Sequence, residues 1–294
     1  MPHPVIFDRT LLRARRARAA TLGPATFLLD RVAEDLAGRL SAVLRKFDLA
    51  ADVGTPTDAV RLALAGRVGT IVAADPVVRS GQALAVAADE EALPFRDGSL
   101  DLVVSALALQ FVNDLPGTLV QIRRALKPDG LFLAAMIGGD SLAELRAAFA
   151  QAESEAEGGV SPRVAPFADL RDIGALLQRA GFALPVTDID RVTVRYASPL
   201  ALMHDLRRMG ATNALTERRR KPLRRATLQR LFEIYAGRFA DPDGRIRATF
   251  EIVWLSGWAP QESQQKPLKP GSAKTRLADA LRTTEIPAGE KAGD

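Results

Sequence analysis

The chain contains no cysteine, which removes disulfides, thiolate zinc sites and a cysteine nucleophile together. Histidine is almost as scarce. His3 and His204 are the only two in 294 residues, so a histidine-rich metal site is excluded and no metal centre is expected. No run of about 18 apolar residues occurs, which argues against a membrane-spanning helix. Aromatic residues make up 5% of the chain, and none interleaves with the basic clusters RARRAR (13–18) and ERRRKPLRR (217–225). A stacking platform for single-stranded nucleic acid is therefore not expected. A cysteine-free chain also suits a reducing compartment, and the expected location is the cytoplasm.

What remains is a chain with 47% hydrophobic residues, suited to one large domain or one domain with an insertion. The net charge is +5, concentrated in the two arginine clusters. Such clusters suit an acidic partner, nucleic acid or an anionic membrane surface, but runs of charge are ordinarily solvated helix faces, and that is the reading taken here. The first 20 residues hold one acid, Asp8, and have the composition of an organellar presequence. They are read instead as an ordinary first helix, because a longer amphipathic helix follows, with Leu28, Val32, Leu36, Leu40 and Leu44 recurring every four residues. From about Ala259 the chain turns polar and rich in Pro, Gly, Lys and Gln, the composition of a disordered tail.

Between these ends, short apolar runs alternate with helical stretches. Leu49–Val53, Val68–Ala74, Leu84–Ala88, Leu100–Ala106 and Leu131–Ile137 have the length of buried strands. Asp58–Leu64 and Pro116–Leu126 are helix candidates between them. This alternation implies a parallel sheet covered on both faces. Further helices are expected over Leu142–Ala156, Leu170–Ala180, Pro199–Met209 and Pro222–Phe239, and strands over Arg191–Tyr196 and Thr249–Trp258. Segment 197–247 then reads as a helical insertion between two late strands.

In such a sheet, ligands bind outside the carboxyl ends of the strands. Asp52, Asp75 and Asp89 all fall there. Asp75 ends the second strand, where a carboxylate can accept from a ribose diol, and Asp89 follows the third, where it can accept from an adenine amino group. A lone acid at a strand-to-helix turn is more often a helix cap, but three in register favour a nucleoside site.

DEEALPFRDGSLDLVVSALALQFVNDLP (89–116) and IRRALKPDGLFLAAMIGGDSLAELR (122–146) resemble the acidic, LPF, fourth-strand and LKPDG motifs of class I S-adenosylmethionine-dependent methyltransferases. FDRTLLRARRARAA (7–20), AESEAEGGVSPRVAPFADLRDIGALLQRAGF (152–182) and LMHDLRRMGATNAL (202–215) are similar to one branch of that superfamily, the methyltransferase-fold assembly factors of respiratory complex I. The resemblance spans about Phe7 to Trp258. The SALALQFVNDLP segment is similar, more distantly, to the malonyl-carrier methyltransferases. The resemblance implies a Rossmann-like α/β fold with a mostly parallel seven-stranded sheet and helices on both faces. It implies S-adenosylmethionine as cofactor, with Asp52, Gly54, Asp75, Asp89, Glu90 and Ala106 around it. It also implies a protein substrate, a complex I subunit, and a place in the cytoplasm at the inner face of the membrane. Nucleic acid is not an expected partner.

One motif departs from the superfamily. The D-x-G-x-G-x-G pattern reads Asp52-Val53-Gly54-Thr55-Pro56-Thr57-Asp58. Pro56 has no N–H, and Asp58 brings a carboxylate towards the cofactor's own, so weakened cofactor binding is expected. Methyl transfer mainly requires orientation of the acceptor. Ser105 and Gln110 near the end of the fourth strand are the catalytic candidates, with loop hydrogen bonding as the alternative role for Gln110. Asn113 and Asp114 are expected to cap the next helix, Glu144 and Arg146 to form a salt-bridged helix surface, Trp254 and Trp258 to lie in the core or on the sheet face, and His204 to pack within its helix. The expected division is 1–47 as N-terminal helices, 48–258 as the methyltransferase-like domain with insertions 138–168 and 197–247 as a substrate lid, and 259–294 as a tail. Two activities stay open: methylation of a protein, or an assembly factor that hydroxylates arginine or only binds.

Overall fold

Four caps set the starts of helices in this chain. Asp8, Asp114, Asp169 and Ser198 each accept a hydrogen bond from a backbone N–H of the first helical turn, and prolines stand at the first turn of two of the helices. The computed structural model describes residues 5–77, 84–264, 272 and 275–284. The chain divides into two compact units, Met1–Pro260 and Gln261–Asp294.

The first unit opens with α1 (Arg9–Thr21) and α2 (Phe27–Ser41), then alternates β1 (Phe47–Val53), α3 (Ala59–Ala63), β2 (Val68–Asp75), β3 (Ala85–Ala87), β4 (Leu100–Ala106), α4 (Leu115–Ala125) and β5 (Leu126–Gly138). It continues through α5 (Ala143–Glu157), α6 (Leu170–Arg179), β6 (Ala183–Tyr196), α7 (Pro199–Arg208), α8 (Arg225–Phe239) and β7 (Ile246–Trp258). In the second unit the described element is α9 (Leu277–Leu281), a short helix inside the stretch expected to be a disordered tail; residues 265–271, 273–274 and 285–294 of that stretch lie outside the described residues.

The seven strands form one sheet in the order β3-β2-β1-β4-β5-β7-β6. The first five are parallel, and β7 runs antiparallel to both of its neighbours. Every residue of β4, the central strand, is buried, and it reads as a mostly apolar run broken by Asp101 and Ser105. The opposite extreme is the edge strand β6, half-exposed along its length, with Asp188 and Asp190 on its half-buried face paired to Arg39 and Arg31 of α2. One face of the sheet packs under α4 and α6 through Leu119, Ile122, Ile173 and Leu177. The other packs under α2 and α3 through Val32, Leu36, Val60 and Leu64. A third cluster joins α5, α7 and α8 to the far ends of β6 and β7.

The strand order reverses direction at the β1/β4 pair. The connections leaving β1 and β4 therefore diverge to opposite sides, and a crevice opens between them at their carboxyl ends.

Two readings of the apolar pattern need correction. Leu44 lies beyond α2 and is fully exposed, because that helix stops at Ser41 before the fourth repeat. The strand expected over Arg191–Tyr196 is the second half of the much longer β6; in its first half Leu184, Val186 and Ile189 are exposed while Asp188 and Asp190 face α2, which inverts the usual apolar pattern. Trp254 is buried under the guanidinium of Arg39, 4.2 Å from the ring centre, while Trp258 is half-buried. Truncating Trp254 to alanine is expected to cost about 3–5 kcal/mol. Chemical denaturation checks this, and a loss under 1 kcal/mol would show that the site is not packed as described.

Candidate active site

The nucleoside-type acids share one rim. Val53 of β1 is in register with Ala74 of β2, and the Gly54 N–H donates to the Ala74 carbonyl at 2.8 Å. Asp75 is in register with Ala87 of β3, two residues before Asp89. Gly54, Asp75 and Asp89 thus follow one another along the carboxyl edge of β1, β2 and β3. Asp75 accepts from the Val77 N–H at 2.6 Å. Residues 78–83 lie outside the described residues.

Gly54 holds φ +71°, a left-handed conformation that favours glycine, and a Cβ there would lie 2.6 Å from the Glu90 carboxylate. The space that the glycine opens is filled by Glu90. That side chain is fully buried and ionised against two arginines of α1: Arg16 at 3.0 Å, and Arg9 in a second, shorter contact. Asp89 is bound by Arg9 at 2.8 Å and also by Arg13. Burial would raise the Asp89 carboxyl, but the Glu91 N–H and the two arginines hold it below the usual carboxylate range. Part of the first arginine cluster is therefore no solvated face. Arg9, Arg13 and Arg16 recur at i, i+4 and i+7 and turn inward on the acids of the rim.

The segment before α1 is tied down as well. Asn113 was expected to cap α4; instead its side chain accepts from the N–H groups of Ile6 and Phe7, at 2.9 and 2.7 Å, and Asp114 alone makes the cap. Phe7 meets Phe111 edge to face.

Asp52 is buried one turn behind the rim. It accepts from Arg61 at 2.6 Å and from the Thr55 hydroxyl, which in turn accepts from the Ala106 N–H at 3.1 Å. Ser105 is fully buried, and its hydroxyl donates to the Val53 carbonyl at 2.7 Å, a tie between β1 and β4. Burial pushes the Asp52 carboxyl up to about 6, against the pull of Thr55 and Arg61.

A cavity of about 790 Å³ occupies the crevice. Pro56, Thr57 and Asp58 line it from the β1 side, and Leu107 and Gln110 from the β4 side. Leu107 holds φ +52°, a strained conformation for a leucine, at the point where the chain turns away from β4. Pro56 and Asp58 fit without disturbing the fold because Asp58 stands just before α3. Both segments expected to form a lid supply walls, Phe149 and Val164 from one and Met203 and Leu223 from the other. The loop 158–163 is anchored by buried Glu153, which accepts from the Ser161 N–H at 2.7 Å and from Arg163 at 2.8 Å. His204 is exposed and lines the cavity rather than packing within its helix. Glu144 and Arg146 make no salt bridge among the described residues. Glu144 accepts from the Thr249 N–H, and Arg146 donates to the carbonyls of Ser141 and Ala165.

Two lining residues keep a buried polar atom without a hydrogen-bond partner among the described residues: Nη2 of Arg16 and Oε1 of Gln110. Gln110 Nε2 donates to the Leu107 carbonyl at 2.8 Å, which holds the amide in place.

The strand order, the β1/β4 crevice and the acidic rim define a class I methyltransferase fold. A methyltransferase domain family matches residues 51–134. The fold is shared with a candidate methyltransferase of Bacillus halodurans (19% identical, TM-score 0.53, 76% of this chain and 99% of that one) and with the YcgJ protein of Bacillus subtilis (14%, TM-score 0.52, 77% and 98%). The mitochondrial arginine-hydroxylase NDUFAF5 of Danio rerio is 38% identical over 96% of this chain and 91% of that protein, and the Homo sapiens form is 38% identical over 97% and 86%. A malonyl-[acyl-carrier protein] O-methyltransferase of Laribacter hongkongensis is 40% identical over 63% of this chain and 60% of its own. The chain belongs to the NDUFAF5 family.

Removing both arginines from Glu90, as Arg9→Met with Arg16→Met, leaves a buried unpaired carboxylate and is expected to cost about 3–5 kcal/mol; adding Glu90→Met should recover most of it. Urea denaturation of the double and triple variants reads both numbers. Asp52 makes a pH prediction. Its folded value near 6 lies above the ordinary 3.8, so the folded chain keeps a proton that the unfolded chain has released. Its contribution to stability is full below pH 3.8 and is lost as pH rises through about 6. Thermal unfolding of Asp52→Asn across that window should lack the declining limb, and an unchanged profile would contradict the assignment.

Proposed function

We propose that this chain binds S-adenosylmethionine in the β1/β4 crevice and modifies an arginine of a partner protein, hydroxylating it, during assembly of NADH–quinone oxidoreductase. The observation that carries the cofactor assignment is the pair of unpartnered buried atoms in the cavity wall. The amino-acid end of the cofactor is a carboxylate beside an ammonium. Arg16 offers a donor for the first and Gln110 an acceptor for the second, and leaving either unmade costs free energy that a ligand would relieve. The residues present fit that end. On the nucleoside side, Asp75 is the ribose acceptor on the rim, while Asp89 is already engaged by Arg9 and Arg13. When bound, the cofactor supplies an electrophilic sulfonium methyl.

Family membership over almost the whole chain supports arginine as the target, because the relatives are named arginine hydroxylases. Hydroxylation converts a C–H bond to C–OH: one atom of dioxygen enters the product, and the other leaves as water with two electrons from a reductant and two protons. Apolar walls of the cavity such as Leu145 and Phe149 take the methylenes of the side chain, and Asp58, its one acidic lining residue, accepts from the guanidinium. The segments 138–168 and 197–247 act as the lid over it, which keeps water from the reacting carbon. No described helix is long and apolar enough to cross a membrane, and the relatives are named mitochondrial proteins. Methyl transfer to the same arginine is the second reading, favoured by the methyltransferase domain match over residues 51–134.

Calorimetry with S-adenosylmethionine tests the cofactor. Gln110→Ala is expected to weaken binding roughly tenfold, the value of about one hydrogen bond to a charged group. Mass spectrometry of arginine peptides after incubation with the chain, the cofactor, dioxygen and a reductant separates the activities: one added oxygen for hydroxylation, one added methylene for methylation. Neither product from any peptide of the partner, with no cofactor binding, would reduce the chain to a binding factor.

A further inference from the structure

Helix α1 carries two arginine faces with opposite fates. Arg9, Arg13 and Arg16 turn inward and are neutralised by Asp89 and Glu90. Arg15 and Arg18, one turn apart, lie on another face and have no carboxylate of their own. The side chain of Arg15 is partly buried and donates to the Asn213 carbonyl. Burial holds its guanidinium below the usual range, and the like charges of Arg218, Arg18 and Arg207 add to this; Asp8 is the one acid that opposes them. Asp8 is itself engaged by Arg218 at 3.1 Å. Among the described residues, Arg18 and Arg207 make no ion pair, and both are exposed. Folding has therefore brought four arginines from three separate segments together, and among the described residues the one ion pair any of them makes is that of Arg218 with Asp8. Like charges gathered this way cost stability unless a ligand of opposite sign offsets them.

The place of this cluster gives it a use. Arg207 and Asn213 line the cavity, so the cluster stands at its border. The cavity itself is a poor receptor for a bare cation, since Asp58 is its one acidic lining residue against Arg16, Arg163, Arg207 and Arg208. An arginine entering it would be repelled unless the chain on either side brought negative charge.

We infer that the cluster of Arg15, Arg18, Arg207 and Arg218 is a docking surface for an acidic stretch of the partner protein, so that the arginine presented to the cavity is flanked by carboxylates. The inference rests on the arginine-modification reading above for the identity of the central residue, but not for the docking itself. An extended segment advances about 3.3 Å per residue, so carboxylates within a few positions of the arginine would reach past the cavity border onto the arginines. Complementary charge of this kind sets association rate and partner choice more than raw affinity. The absence of aromatic residues among these arginines disfavours single-stranded nucleic acid as the occupant.

The test is fluorescence anisotropy of short labelled peptides on the full chain at low and at physiological salt. One peptide has a central arginine with acidic flanks, one the same arginine with neutral flanks, and one acidic flanks with glutamine at the centre. Acidic flanks are expected to tighten binding roughly tenfold at low salt, with most of the gain lost at physiological salt. Arg18→Glu with Arg207→Glu should abolish the gain, and lysine flanks should then bind the variant better than acidic ones. Both positions are exposed and unpaired, so unchanged thermal melting of the variant is the check that it folds. The glutamine-centred peptide separates the two readings. If it binds in an arginine-dependent way while no arginine peptide is modified, the docking surface stands and the activity reading falls. Equal binding of acidic and neutral flanks, or a charge reversal that weakens binding to vesicles of anionic lipid or to an oligonucleotide but not to the acidic peptide, overturns the inference.

Discussion

A carboxylate with no exposed surface must be ionised against a partner or give up its charge, and Glu90 is that carboxylate here. It fills the space left by the missing side chain of Gly54 and meets two arginines from α1. Breaking such an arrangement strands a charge in the interior, so the pairing acts as a clasp between the N-terminal helix and the carboxyl edge of the sheet. Around it the contacts of Phe7 with Phe111, and of Asn113 with the backbone at Ile6 and Phe7, complete the closure. The wall of the cavity on the α1 side exists because of this clasp.

The remaining walls come from parts of the chain that a minimal sheet does not need. Buried Glu153 gathers Ser161 and Arg163 and so shapes the loop that carries Val164. Segment 197–247 brings α7, the loop after it and Leu223 to the cavity, and the Leu215 backbone pairs with Phe7. The segments EGGVSPR, MGATNAL and FDRTLLRARRARAA, which carry the resemblance to the complex I branch, thus meet around one cavity. That meeting explains why they go together in sequence although they lie far apart along it.

Much of the sheet was legible from residue order. The apolar runs of β1, β2, β4 and β5 are near-continuous because both faces of a parallel sheet are covered, and continuity is a signal that survives in one dimension. β6 was half missed because its first half exposes Leu184, Val186 and Ile189 and turns Asp188 and Asp190 towards α2, the reverse of the usual apolar-in pattern. Asp75 ends β2 and Asp89 follows β3, as the residue order implies, while Asp52 lies within β1, buried behind them. Their partners were not legible in this way. Ser105, Glu144, Arg146 and Asn113 each had a local reading as catalyst, ion pair or cap, and each satisfies its hydrogen bonds with a group distant in sequence, in three of the four cases more than 50 residues away. His204 looked like a core residue from its apolar neighbours, but the helix presents it outward.

Periodicity and strand-end chemistry, which act over a few residues, were enough to determine the class of fold, the order of its elements and the acidic rim. Which arginines bind those acids, which remain unneutralised, and where a cavity opens depended on the packing of α1 and the two insertions against the sheet. Those are contacts between charges and surfaces far apart in the chain. Their energies depend on burial and distance, and neither quantity exists until the tertiary structure has formed.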